Sequence, residues 1–589
     1  MKKIVKGGEF MVNDLEANDI FIPEEFDEEQ IMIADTCRDF LETEVMPNLD
    51  RIDAQEEGLS RGLLNKAGEL GLLGISIPEE YEGFDQSFVT SMFVSEIMGK
   101  AYSFAVIYSC HTGIGSLPIL YFGNEQQKEK YLPKLASGEW AGAYCLTEPG
   151  AGSDANSGKT KATLSEDGKY YILNGQKMWI TNTGFADIFT VFAKIDNDRV
   201  LSAFIVERDF PGIKFNPEEK KMGIKGSSTR QIFFEDCMVP VENLLWARGK
   251  GFRIALDILH MGRIKLGGNV IGAAKMAINQ SVNYANERKQ FGTLISSFGS
   301  IKYKLAEQVI KAFTTESTVY RASNNVDEYI EALADTTSKE KAIIKAFEEY
   351  SIEAAILKVY GSESLDYIVD EGVQIHGGMG YSSEMPIERG YRDSRINRIF
   401  EGTNEINRLI TIDTLMKRGA KGVYDLFGEA EKVIQYLQYM EDCSGSAEGY
   451  FENKSEVIKN FKKAGLMLMK AVSDKFGRQM VHEQEILNNL SNIVMNTYVA
   501  ESTMLRIQKR ELIGQEVAIY KDILDVYIYD TASFIRKEAL DAINSFADEN
   551  ECKLLSEGVS YFTCVPPVNV KNARRRIAEK LIEDNIYNF

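Results

Sequence analysis

Arg398-Ile399-Phe400-Glu401-Gly402-Thr403-Asn404-Glu405-Ile406-Asn407-Arg408 sets one acidic side chain against a glycine and a Thr/Asn pair, with apolar residues following at helical spacing. Thr or Asn at that point caps a helix, and a glycine just before it lets the backbone turn sharply. A carboxylate on such a turn is placed as a base beside whatever ligand the backbone bends around. The same run also serves as an ordinary helix-start turn, and spacing alone leaves both readings open.

Four further segments precede it: Ala143 to Asp154 (AYCLTEPGAGSD), Lys177 to Asn182 (KMWITN), Glu287 to Gly292 (ERKQFG) and Gln374 to Gly380 (QIHGGMG). In this order, and ahead of the Glu-Gly-Thr run, they resemble the acyl-CoA dehydrogenase family, most closely its very-long-chain branch. The resemblance spans about Glu25 to about Lys421. Beyond Lys421 it rests on an extra helical segment of the right place and length.

Composition agrees with this but does not produce it. A chain of 589 residues, 44% of them hydrophobic, holds three or four domains and a large core. With 88 acidic against 67 basic residues the net charge is −21, which argues against nucleic-acid binding. Seven cysteines, Cys37, Cys110, Cys145, Cys237, Cys443, Cys552 and Cys564, are scattered without metal-ligand spacing and suit a reducing compartment. Four histidines, His111, His260, His376 and His482, give a dedicated metal site little to work with, and none is expected. The first residues form no signal peptide, and no stretch reaches the ~18 unbroken apolar residues of a membrane span. A cytoplasmic protein is the expectation.

Periodicity divides the chain into four regions. Helical spacing over 27–144 (Leu63-Leu64, Ala67, Leu70; Phe93-Val94, Ile97-Met98) predicts an N-terminal helical domain. Over 145–250 the period falls to two, predicting a small antiparallel β domain in which Asn174-Gly175 is the clearest hairpin turn. Helical spacing returns over 251–420, enough for a four-helix bundle, and persists over 421–589 as an additional helical domain broken by a polar stretch from Glu441 to Ser455. The fold class expected is therefore mainly α with a small β domain.

The resemblance implies FAD held between the β domain and the bundle. It maps Tyr144, Leu146, Thr147, Gly152 and Ser153 onto the loop against the flavin, with Ser153 also reaching the CoA part of the substrate. Trp179 would wall the flavin beside Ile180 and Thr181. Arg288 and Phe291 would meet the FAD pyrophosphate region, and Gln374, Ile375, His376, Gly377 and Gly378 would bring bare backbone to the flavin of a neighbouring subunit, so a homodimer or a dimer of dimers follows. Thr403, Asn404 and Glu405 would offer helix amides to the cofactor. On spacing alone these segments are also plain loops, a core tryptophan and solvated helix ends.

By the same resemblance Glu401 is the base that takes the α-proton of an acyl thioester while hydride leaves for the flavin. Phe400 and Gly402 would flank the thioester, and an apolar pocket should raise the Glu401 pKa. Arg263 is read as a structural or CoA-neighbouring cation. The function implied is FAD-dependent α,β-dehydrogenation of long-chain acyl-CoA in fatty-acid β-oxidation, with an electron-transfer flavoprotein as acceptor. An acyl-CoA oxidase and a flavin-binding assembly protein stand as alternatives. The C-terminal extension offers Val457 to Phe476 as a basic amphipathic helix, either on a membrane surface or within a bundle, and Arg574-Arg575-Arg576 as a surface patch.

Overall fold

Helix α1 (Glu28–Phe40) starts where Asp27 and Gln30 cap each other's backbone N–H groups at 2.8 and 3.1 Å. The computed structural model describes residues 4–437 and 449–589, so Cys443 and the 441–448 part of the expected polar stretch lie outside the described residues. After α1 come α2 (Phe88–Met98), α3 (Ser103–Ser109) and a turn of wide helix, Cys110–Gly115. The apolar span Ser103–Phe122 is 72% buried inside the protein.

The sheet runs β1 (Gly142–Cys145), β2 (Lys161–Leu164), β3 (Tyr170–Thr181), β4 (Ile188–Ile195), β5 (Ser202–Glu207), β6 (Ile213–Phe215), β7 (Thr229–Pro240) and β8 (Leu244–Leu245). Its order is β6-β7-β3-β2-β4-β5-β8, with β1 on β4. The sheet is mixed rather than antiparallel throughout, because β1 and β2 both pair parallel to β4. Asn174-Gly175 is not a hairpin turn. Both residues lie inside β3, whose register against β7 shifts between Leu173 and Gly175, so the dipeptide makes a bulge. A Cβ on Gly175 would come within 2.6 Å of the Thr160 hydroxyl, which is why a glycine stands there.

Four long helices follow: α4 (Gly251–Glu287), α5 (Gly299–Leu333), α6 (Ser351–His376) and α7 (Asn404–Ala420). They form the expected bundle, with α4 and α6 buried along most of their length. The extension adds α8 (Tyr450–Phe476), α9 (Gln484–Leu512), α10 (Ala518–Phe546), α11 (Glu549–Phe562) and α12 (Val570–Asp584). Its core is continuous with that of the bundle and takes in Phe10, Met11, Ile20 and Ile22 from the N-terminal arm.

Two expectations for the extension resolve here. The apolar face of α8, with Val457, Ile458, Phe461, Leu466, Leu468 and Met469, is buried within the protein. Its Lys462 is buried too, 2.5 Å from Glu501. Thus α8 is a bundle helix with no apolar face left for a membrane. Arg574 is likewise no surface residue: it is buried and paired with Glu307 at 2.6 Å and with Asp530.

Candidate active site

Glu401 and Gly402 take φ of +57° and +83°, so the chain turns sharply just before Thr403 caps α7 by accepting from the Ile406 N–H at 3.4 Å. Positive φ suits glycine but strains a glutamate, and such strain persists only where the surroundings impose it. They do so here. Arg263, buried on α4, donates from Nε to the Glu401 carbonyl at 3.0 Å, and Asn407 donates to the Gly402 and Thr403 carbonyls at 2.8 and 3.0 Å. Arg263 is thus the clamp on the glutamate's backbone, a role that spacing could not reveal across 138 residues.

The carboxyl group lies over Gly262, where an added Cβ would stand 2.9 Å from its Oε2. That oxygen is buried and has no hydrogen-bond partner among the described residues. Burial raises the Glu401 pKa to about 7, against the opposing pull of Arg263 and Lys358. Lys358, fully buried on α6, donates to Asn404 Oδ1 at 2.6 Å, and burial lowers its own pKa to about 8.

Glu401 lines a cavity of about 1130 Å³ between the sheet, α4 and the 392–403 segment. That exceeds the ~300–1,000 Å³ of a typical single-ligand site. Tyr144, Leu146, Thr147, Gly152 and Ser153 line it, as do Trp179, Ile180, Thr181, Phe400, Gly402 and Thr403. The loop from Tyr144 to Ser153 is pinned by a buried pair that sequence reading overlooked. Lys177 Nζ lies 2.6 Å from Glu148 Oε1 and 3.1 Å from the Leu146 carbonyl, and Glu148 also accepts from the Thr160 N–H at 3.1 Å. Trp179, at φ +61°, leaves half its surface open to the cavity. A half-exposed indole, unpaired Tyr144 and Glu401 oxygens and free loop amides fit a planar, polar-edged ring such as the isoalloxazine of FAD.

The remaining expected cofactor residues stand elsewhere. Arg288, Phe291, Gln374, Gly377 and Gly378 are exposed and off this cavity, Phe291 being 95% accessible. Ile375 and His376 point inward. The His376 ring stacks on Tyr284 at 4.3 Å and its Nδ1 lies 2.7 Å from the Gly372 carbonyl, so both side chains are taken up inside the protein. Asn404 does not offer its side chain to a cofactor either, since Lys358, Ser362 and Glu363 occupy it. Glu405 is exposed and off the cavity.

Comparison with known proteins identifies this arrangement. The chain matches the acyl-CoA dehydrogenase N-terminal domain over residues 27–139, the middle domain over 143–237, the C-terminal domain over 249–416 and a second acyl-CoA dehydrogenase C-terminal domain over 460–559. It is 44% identical to a probable acyl-CoA dehydrogenase of Bacillus subtilis over 99% of this chain and 98% of that one. The very long-chain specific acyl-CoA dehydrogenase of Macaca fascicularis mitochondria is 36% identical over 85% of this chain and 77% of its own. A crystal structure of an acyl-CoA dehydrogenase complexed with FAD, from Bacillus anthracis, superposes with a TM-score of 0.97 at 44% identity over 99% of this chain and all of that one.

Proposed function

The chain belongs to the acyl-CoA dehydrogenase family, an FAD-dependent oxidoreductase of acyl-CoA thioesters, and from that premise we propose that Glu401 is its catalytic base and long acyl chains its substrates. The observation that carries the assignment is the Glu401 carboxyl oxygen that lies buried over Gly262, without a partner among the described residues, where an added Cβ would crowd it. Among the described residues nothing accepts the Glu401 N–H, so it is free to donate to the thioester carbonyl. Arg263 holds the carbonyl of the same residue, fixing that N–H and the carboxylate relative to each other. As the α-carbon loses its proton, negative charge grows on the carbonyl oxygen, and a fixed donor there lowers the barrier more than an unaided base could. Glu401 holds the abstracted proton afterwards. FAD, when bound, supplies the acceptor for the β-hydride.

The acyl tail has a matching channel. Gly262, Leu266, Val270, Ala273, Ala277 and Gln280 line the cavity along one stripe of α4. From Gly262 to Gln280 the helix rises ~27 Å at ~1.5 Å per residue. An extended alkyl chain with ~1.5 Å bonds advances ~1.25 Å per carbon, so about twenty carbons fit. The stripe ends where Gln280 Nε2 donates to the Tyr102 hydroxyl at 2.9 Å.

The exposed Phe291 and Tyr381, 95% and 91% accessible, together with Arg288 and Gln374 off their own cavity, support a homodimer in which each copy serves the other's flavin. We take an electron-transfer flavoprotein as the acceptor; oxygen uptake that keeps pace with turnover and needs no added acceptor would sink that choice. The function itself is tested anaerobically. Palmitoyl-CoA bleaches the wild-type flavin, and Glu401→Gln keeps its FAD but loses at least about 10³-fold in bleaching rate. A Glu401→Gln protein that bleaches normally overturns the assignment.

A further inference from the structure

We infer that Asn492, on α9 of the C-terminal extension, is a positioning residue for Glu401, acting through a continuous chain of side-chain hydrogen bonds. The inference rests on Glu401 being the base. Asn492 Oδ1 accepts from Arg408 Nε at 2.8 Å. Arg408 Nη2 lies 2.8 Å from Glu363 Oε2, and Glu363 Oε1 accepts from Asn404 Nδ2 at 3.0 Å. Asn404 Oδ1 then accepts from Lys358 Nζ at 2.6 Å. Asn404 is the first residue of α7, directly after the Glu401–Thr403 turn. At the outer end Asn492 Nδ2 donates to Glu538 Oε2 on α10 at 3.0 Å, so two helices of the extension hold it.

Each member of the chain fixes the orientation of the next. An asparagine amide can turn over, exchanging its oxygen for its NH2 group, and only its partners decide which way it faces. Glu363 accepts from the Asn404 NH2, as does the Ser362 hydroxyl at 3.1 Å, and the two together present the Asn404 oxygen to Lys358. Arg408 holds Glu363 in that place, and Asn492 holds Arg408. Without Asn492 the guanidinium loosens and Glu363 is freed. Glu363 lies on the same helix as Lys358 and attracts its ammonium, drawing it away from the active site.

That movement reaches Glu401 because few charges surround it. Facing its carboxyl are Arg263 from α4, Lys358 from α6, Tyr144 from β1 and Cys110 from the turn after α3, and His260 lies beside Arg263, its Nδ1 3.3 Å from the guanidinium Nη1. His260, pushed down to about 3 by burial and by Arg263, is neutral, as are the buried phenol and thiol. Arg263 is committed to the backbone, which leaves Lys358 as the adjustable cation. A retreating Lys358 favours the protonated carboxyl, so the base ionises at higher pH.

The test uses the FAD-loaded full chain and palmitoyl-CoA, following flavin bleaching anaerobically from pH 5.5 to 9. Asn492→Leu is expected to bleach about tenfold more slowly near pH 7, with its acid limb displaced to higher pH and its FAD content and palmitoyl-CoA affinity unchanged. Asn489→Ala, which loses a bond to Glu538 Oε2 but makes none to Asn492, Arg408, Glu363, Asn404 or Lys358, stays within about twofold of wild type and controls for loosening of the extension around Glu538. Arg408→Lys keeps a charge near Glu363 but gives up Asn492, and shows the same displaced limb if Asn492→Leu fails to fold. In a Lys358→Met background, Asn492→Leu adds little. A wild-type rate and limb in Asn492→Leu or Arg408→Lys overturns the inference, as does an effect that multiplies in full on Lys358→Met. A wild-type flavin that palmitoyl-CoA does not bleach instead overturns the proposed function, before any variant is compared.

Discussion

Glu401 is a buried carboxyl whose pKa of about 7 lies above the 4.5 of a free side chain, and that displacement makes it both a usable base and a local cost to stability. The sign follows from which state binds the proton more tightly. Folding favours the protonated form, so the folded chain loses stability as pH rises from about 4.5 through about 7, then levels off. Glu401→Gln removes a group that must ionise in a buried place. Its unfolding midpoint in guanidinium should exceed that of wild type at pH 8 and nearly match it at pH 5, and a gain independent of pH would contradict the burial of this carboxyl. Bleaching by substrate should likewise rise with pH across about 7, because only the ionised form abstracts a proton. Much of this residue's setting was legible in sequence, since Gly402, Thr403 and the apolar spacing after them are local to Glu401. The carbonyl that Arg263 holds, and Lys358 and the Lys177–Glu148 pair altogether, were not, because nothing in linear spacing tells which distant cation a fold will bring to a carbonyl or a loop.

At the scale of elements, the channel along α4 turns a helix period into a ruler. Ala273 stands eleven residues beyond Gly262, ~16 Å along the axis and about thirteen carbons from the thioester. A phenyl ring there blocks the channel without touching the carbons next to the flavin. Ala273→Phe is therefore expected to leave octanoyl-CoA within about twofold of wild type and to lower kcat/KM for stearoyl-CoA at least about tenfold. Equal losses on both substrates would mean that the acyl chain takes another path. Helices were the elements sequence read best, because i, i+3 and i+4 spacing reports a buried face directly. Strand β3 shows the limit. Asn-Gly is the strongest local hairpin signal, yet here the alternation continues past it, and pairing with β7 more than fifty residues later decides that the dipeptide forms a bulge. The parallel partners of β4 were hidden for the same reason: register across a sheet is set by contacts distant in sequence.

For the whole molecule, the question is whether the extension is a separable domain, and the buried charges answer it. Glu501 on α9 stands between Arg321 of the bundle helix α5, at 2.7 Å, and Lys462 of α8, at 2.5 Å, with all three nearly excluded from solvent. One helical turn on, Arg506 joins Glu24 of the N-terminal arm to Glu316 of α5, at 2.7 Å each. Ions so buried are expensive to desolvate and are stable only while every partner is present. Extension, bundle and arm therefore share one set of charges as well as one apolar core, and pulling the extension away would strand Arg321 and leave Glu316 with only Lys275 of its two cations. Glu501→Leu fills the volume but leaves two buried cations facing each other, and should cost about 3–5 kcal/mol. Among the described residues Arg321 keeps in direct contact only the Ser502 hydroxyl at 2.9 Å and the Tyr498 ring, too little to replace a carboxylate. Because the pair spans the boundary, that cost should appear as an earlier midpoint of a single cooperative transition in guanidinium, followed together by flavin release and far-UV circular dichroism. Two separated transitions in the wild type, or a Glu501→Leu midpoint that does not move, would show that the extension folds on its own and that the buried charges do not join it to the catalytic body.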